Sequence, residues 1–170
     1  MTIQIRNEGP QDEAAIHALT QAAFRDAAHS SGTEALIVDA LRSAGRLSLS
    51  LVAEDDGRIV GHLALSPVTL SGGGQGWLGL GPVSVPPDHQ QQGIGSQLMQ
   101  AALRWLQGTA AAGCVVLGDP GYYQRFGFRA YPQLVLPDVP AEYFMALPIQ
   151  GSVPAASVAY DPAFSATSTA

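Results

Sequence analysis

The chain has 170 residues, 46% of them apolar and 13% charged. That suits one folded domain able to bury roughly 70% of its unfolded surface, and it excludes a mainly disordered chain. The net charge is -6 with no run of Lys and Arg, and Cys114 is the single cysteine, which argues against nucleic-acid and membrane partners, an intrachain disulfide and a cysteine-rich zinc site.

The first residues, Met1 to Glu8, lack the basic-then-apolar layout of a secretory signal, and no uncharged apolar run approaches about 18 residues. A cytoplasmic location is therefore expected. Residues 2–6 alternate Ile3 and Ile5 with polar neighbours and spell a short strand. A helix follows, with Pro10 in its first turn, Asp12 and Glu13 where the dipole favours anions, and Ile16, Leu19 and Ala23 on one side. Residues 33–44 fit a second helix stopped by Gly45.

From Leu47 the period changes to two: Leu47, Leu49, Leu51 and Ala53 alternate up to the tight turn Asp55-Asp56-Gly57. Strands over 58–70 and 77–85, joined by the flexible stretch 71–76, complete an antiparallel meander. Pro86 and Pro87 stop it, since neither donates a backbone hydrogen. A helix starts at about Gly93, carries Ile94, Leu98, Ala101, Ala102 and Trp105 on one face, and ends at Gly108 or Gly113. The apolar run 114–117 reads as a strand covered on both faces, parallel to the one before the helix.

A short helix over 122–126, a strand over 128–131 and a last strand over 142–147 close the chemistry-bearing part. Residues 1–150 are expected to form the domain and 151–170 an Ala-, Ser- and Pro-rich tail, either frayed or docked through Tyr160 and Phe164.

The order strand, Pro-Pro, polar loop, Gly-x-Gly, amphipathic helix has a physical use. A helix start offers unpaired N–H groups and a positive dipole end, and glycines let a phosphate approach the main chain. The loop Gln90-Gln91-Gln92-Gly93-Ile94-Gly95-Ser96 has no Lys or Arg, so main-chain donors carry any anion binding. A dinucleotide fingerprint is excluded by Leu98 where a small residue is needed, and a nucleoside-triphosphate loop by the missing Gly-Lys-Ser/Thr. A plain strand-to-helix turn is the competing reading of the loop.

Residues 80–95, Leu-Gly-Pro-Val-Ser-Val-Pro-Pro-Asp-His-Gln-Gln-Gln-Gly-Ile-Gly, resemble the cofactor motif of the GNAT superfamily of N-acetyltransferases, Gln/Arg-x-x-Gly-x-Gly/Ala. A second segment, Tyr123-Gln-Arg-Phe-Gly-Phe128, is similar to the family's Tyr-x-x-x-Gly-Phe, about 30 residues downstream. The resemblance implies an α/β fold with a mixed sheet, flanking helices and a splay between the strands ending at Val85 and Leu117. It implies acetyl-CoA as cofactor, with its pyrophosphate on the loop from Gln90 to Ser96 and its pantetheine along Val83, Ser84 and Val85 like an added strand. It also implies Tyr123 as the acid that protonates the leaving thiolate, and a small-molecule or peptide amine as acceptor.

Many relatives place a carboxylate near the start of the cofactor strand to help deprotonate the amine, and Leu80-Gly81-Pro82 has none. Glu54 and Asp55 read as turn charges, His62 as a hydrogen-bonded structural histidine, Glu34 as a helix-start residue, and Cys114 as an inert buried thiol. No metal-ligand spacing occurs. The alternative to an enzyme is a non-catalytic acyl-CoA-binding or regulatory module, and either reading allows a monomer or a homodimer.

Overall fold

The computed structural model describes residues 2–25, 30 and 32–166. Strand β1 (Ile3–Asn7) leads through one 3-10 turn, Pro10–Asp12, into helix α1 (Glu13–Phe24), and α2 (Glu34–Ser43) follows. Pro10 suits that turn because its missing N–H has no use there. Strands β2 (Leu49–Asp55) and β3 (Arg58–Pro67) form a hairpin turned by Asp56 and Gly57, both left-handed with φ 50° and 80°, as a two-residue hairpin loop requires.

The strand expected over 58–70 is broken. Pro67 ends β3, and Thr69–Leu70 forms a separate strand, β4, outside the main sheet. Strand β5 (Trp77–Ser84) returns antiparallel to β3, helix α3 (Ile94–Gln107) crosses over, and β6 (Gly113–Leu117) lies parallel to β5. Then come α4 (Pro120–Tyr123), a 3-10 turn over Gln124–Phe126, and strands β7 (Leu134–Val135), β8 (Phe144–Pro148) and β9 (Ala156–Ala159).

The main sheet is mixed, with strand order β1-β2-β3-β5-β6-β8, and a small sheet is ordered β4-β9-β7. Period-two alternation covers both faces of the main sheet. Leu49, Leu51, Leu63 and Leu65 pack with Ile94, Leu98, Met99, Ala102 and Leu106 of α3, while Val52 meets Ile16 of α1 and Val38 of α2. The α3 stripe is thus rotated from the expected one. Met99 and Leu106 are buried, and Trp105, too large to enclose fully, only flanks the core with Ala101.

Residues 128–131 are not a strand. Phe128 is a buried core ring, and one bridge, Arg129 to Ala146, is all the pairing that forms. The expected last strand shifts to Phe144–Pro148 and is not the last. Strand β9 pairs antiparallel with β4 and parallel with β7. Beyond it, Tyr160 fills the space over Gly79, where a Cβ would fall 2.6 Å from its ring, and stacks on Phe164 at 4.9 Å. Of the expected tail, residues 167–170 lie outside the described residues. No helix among the described residues is long and apolar enough to cross a membrane.

Candidate active site

The sequence Gly81-Pro82 opens the sheet. Strand β5 pairs with β6 only from Trp77 to Leu80, and with β3 its register shifts between Leu63 and Leu65, where Leu80 and Val83 are the flanking partners. Two residues on β5, Gly81 and Pro82, therefore oppose one on β3. This bulge suits a glycine at φ 137° and a proline with no N–H to offer. Beyond it β5 runs on to Ser84 with no strand on its β6 side, leaving a free edge beside Val83 and Val85.

That free edge borders a cleft of about 840 Å³. One wall is the loop into α3, where Gln91 (φ 64°) and Gly93 (φ 82°) are left-handed and curl the chain at the helix start. Gln90 Nε2 donates to Val85 O at 2.9 Å and Gln92 Nε2 to Asp88 O at 3.3 Å, so these side chains shape the loop and use the Val85 carbonyl. The opposite wall is α4 with Tyr122 and Tyr123, and Ala23 and Phe24 of α1 close one end. Val83, Val85, Gln90, Gln91, Gly93, Ile94, Gly95, Ser96 and Tyr123 all line the space; Ser84 and Gln92 do not.

Residues 46–130 match the acetyltransferase (GNAT) domain family. The chain is 41% identical over 126 residues to the uncharacterized N-acetyltransferase YhbS of Escherichia coli strain K12, covering 74% of this chain and 72% of that one. The chain belongs to the GNAT acetyltransferase family. A GNAT acetyltransferase of Brucella melitensis, solved in complex with acetyl-CoA, superposes with TM-score 0.86 at 50% identity, over 96% of this chain and 98% of that one. YhbS of E. coli, solved in complex with CoA, gives TM-score 0.86 at 33% identity over 98% and 93%.

Within this GNAT cleft the two tyrosines differ. Burial pushes the Tyr123 hydroxyl up to about 12, so it is protonated at neutral pH. Its ring is set edge-on to Tyr122 at 5.0 Å and to Phe128 at 6.1 Å. Tyr122 instead reaches over the loop: a Cβ on Gly95 would fall 2.8 Å from Tyr122 Oη.

Asp119 and Arg125 are among the lining residues that the sequence reading did not assign to the site. Asp119 is the carboxylate in the lining, and it accepts from Gly121 N at 3.0 Å as the cap of α4. Arg125 is the one arginine lining the cleft among the described residues. Its guanidinium stacks 4.6 Å from the Tyr122 ring centroid and its Nε donates to Tyr122 O at 3.3 Å. Its position two residues after Tyr123, inside the matched motif, was the available signal.

The groups set aside as structural are mostly so. Glu54 pairs with Arg6 at 2.9 Å, away from the cleft, and Glu34 accepts from Ser30 Oγ at 2.8 Å. Cys114 is fully buried, and burial pushes its thiol well above the usual range. His62 is fully buried between Ser50 and Ser84, and burial pushes it down to about 4, so its ring is neutral. Burial also pushes Glu8 upward, but Arg42 at 2.8 Å and the Ser50 hydroxyl outweigh it and hold this carboxyl below its ordinary value. No cluster of three or more His, Cys, Asp or Glu that could hold a metal occurs among the described residues.

Proposed function

We propose that this protein is a cytoplasmic acetyl-CoA-dependent N-acetyltransferase that moves the acetyl group directly onto a primary amine. One observation carries the reading: main-chain donors of a left-handed loop at a helix start and the hydroxyl-bearing Tyr123 line a single cleft. The acetyl-CoA and CoA in the relatives' structures support the choice of cofactor.

The residues present fit that molecule. The N–H groups from Gln91 to Ser96 suit the pyrophosphate, because the loop is curled by two left-handed residues and opens onto the cleft. Arg125 adds a cation to an otherwise acidic chain of net charge -6. The unpaired β5 edge at Val83 and Val85 suits the amide groups of the pantetheine arm.

When bound, acetyl-CoA supplies a thioester for attack. Only a neutral amine attacks it, and an alkylammonium has a pKa of about 10, so a proton must leave the acceptor. A main-chain N–H near Val85 stabilises the developing negative oxygen, held rigidly by the sheet. Tyr123 donates to the departing sulfur, help of a kind worth roughly 10²- to 10⁴-fold. Cys114 is buried as a thiol rather than a thiolate, which favours direct transfer over an acetyl-cysteine.

The test is calorimetric binding of acetyl-CoA, followed by CoA release with a panel of ethylamine, tyramine, spermidine, lysine and an alanyl tripeptide. Gly93→Asp, which places a carboxylate at a φ 82° position in the loop, should abolish binding while the protein stays folded. Full affinity in that variant would remove the loop from the reading. Binding without CoA release on any amine would point to an acyl-CoA-binding module instead.

A further inference from the structure

A second cavity, of about 480 Å³, lies between the end of α1 and the start of α2, and Phe24 lines both it and the cleft. Thr20, Gln21, Phe24 and Arg25 reach it from one side of α1 and its cap, at positions i, i+1, i+4 and i+5, and Ser30 and Glu34 line it as well. The lining thus carries one charge of each sign. Arg25 is exposed, and its guanidinium has no carboxylate partner among the described residues. Glu34, half-buried in the first turn of α2, accepts from Ser30 Oγ at 2.8 Å, and a carboxylate has acceptor sites for about four such bonds.

Thr20 is an independent sign of a polar occupant. Five buried side-chain polar atoms lack a partner among the described residues: Thr20 Oγ1, His62 Nδ1, Ser66 Oγ, Ser84 Oγ and His89 Nδ1. His62, Ser66 and Ser84 line neither space and His89 lines the cleft, so Thr20 is the one in the wall of the second cavity. A buried helical threonine can satisfy its hydroxyl on the carbonyl four residues back. Thr20, 0% exposed, does not. Buried polar groups are nearly always paired, so an unpaired hydroxyl lining a cavity points to a ligand with polar atoms.

A guanidinium presents a fork of donors that matches a carboxylate, and a carboxylate accepts from an ammonium. The head group of a free α-amino acid carries both complements on one carbon. We propose that the acceptor is a free α-amino acid with a second amine at the end of its side chain: Arg25 holds its carboxylate, Glu34 its α-ammonium, and the side chain passes Phe24 to bring the terminal amine to the thioester. This deepens the acetyl-transfer reading and rests on it. A peptide N-terminus fits less well, because its free amine and its carboxylate sit at opposite ends.

The step balances. With lysine as acceptor, the ε-nitrogen forms the C–N bond, the thioester C–S bond breaks, and the sulfur takes a proton from Tyr123. Of the two protons that the ε-ammonium gives up, one restores Tyr123 by way of solvent and the other stays in solvent. The products are CoA and the side-chain amide, with the head group unchanged.

The test compares kcat/KM for CoA release with lysine and with two analogues that each lack one half of the head group. These are 1,5-diaminopentane, without the carboxylate, and 6-aminohexanoate, without the α-amine. Lysine should exceed each by about tenfold or more, the scale of one charge-assisted contact, and NMR of the product should show the acetyl group on the ε-nitrogen. Arg25→Gln should collapse the ratio of lysine to 1,5-diaminopentane towards one and keep most of the ratio to 6-aminohexanoate; Glu34→Gln should do the reverse. A merely structural role would lower all three amines alike and leave both ratios intact, which overturns the site. Acetylation at the α-nitrogen overturns it too, as does a parent that releases CoA with other amines of the panel but does not prefer lysine to its two analogues. If no amine, these three included, releases CoA, the acetyl-transfer reading itself falls and the head-group site with it.

Discussion

Tyr122 Oη stands over Gly95, so that a Cβ on this glycine would lie 2.8 Å from the hydroxyl. The ring has little freedom to yield: Tyr123 is edge-on at 5.0 Å, Phe126 is tilted at 5.4 Å and the Arg125 guanidinium covers one face at 4.6 Å. Gly95→Ala should therefore displace Tyr122 and weaken acetyl-CoA binding by about tenfold. The same substitution in a Tyr122→Phe background should cost much less, a coupling of about 1 kcal/mol between neighbours. Calorimetry on the four proteins of that cycle measures it, and additive losses would show that the ring moves freely.

Tyr123→Phe keeps the ring that packs edge-on against Phe128 at 6.1 Å and lies over Gly118, where a Cβ would fall 2.6 Å from it. Only the hydroxyl is lost. The single-turnover rate should fall by roughly 10²- to 10⁴-fold with acetyl-CoA affinity nearly unchanged, the pattern of an interaction made in the transition state. Tyr122→Phe should be mild by comparison. Equal single-turnover rates for Tyr123→Phe and the parent would remove Tyr123 as the acid.

Arg125 is exposed and stacked on Tyr122, with no carboxylate paired to it among the described residues. Arg125→Gln should raise the dissociation constant for acetyl-CoA by about tenfold at low salt, as expected for a charge-assisted hydrogen bond to a phosphate. Salt screens exposed charges, so the difference should shrink as ionic strength rises. Titrations at three salt concentrations test this, and a salt-independent loss would assign Arg125 to packing instead.

His62 also sets a pH dependence of stability. Burial lowers it from 6.5 to about 4 in the folded protein. Between those values the unfolded chain binds more protons than the folded one. The stabilisation is therefore complete above about pH 6.5 and is lost as pH falls towards 4. A shift of this size is worth on the order of 3 kcal/mol. Glu8 and Asp12, both held below their ordinary values, add acid sensitivity only at lower pH. Urea midpoints of the parent should fall between pH 7 and 5, and those of His62→Gln should fall clearly less; parallel slopes would contradict the assignment.

Local chemistry made much of this protein legible in its sequence. Asp56-Gly57 must turn a hairpin because two left-handed residues are needed there, and Pro86-Pro87 must end a strand because neither donates a hydrogen. Gly93 and Gly95 mark a helix start that can approach an anion. Each rests on residues a few positions apart, so periodicity and turn chemistry suffice. Residues 128–131 were expected as a strand, but Phe128 is buried in the core and a single bridge, Arg129 to Ala146, is the pairing that forms there.

Only the tertiary structure decided which distant residues meet. The chain of contacts from Arg42 and Glu8 through Ser50 to His62 joins α2, the turn after β1, β2 and β3. No sequence spacing encodes it, because it depends on how two helices seat on one face of the sheet. Phe24 reaches the cleft only because α1 crosses β5, and Ser84 faces His62 only because the register after the Gly81-Pro82 bulge aligns them. A one-residue slip would turn Ser84 to the other face of the sheet, and that alternation of side chains makes register a tertiary decision.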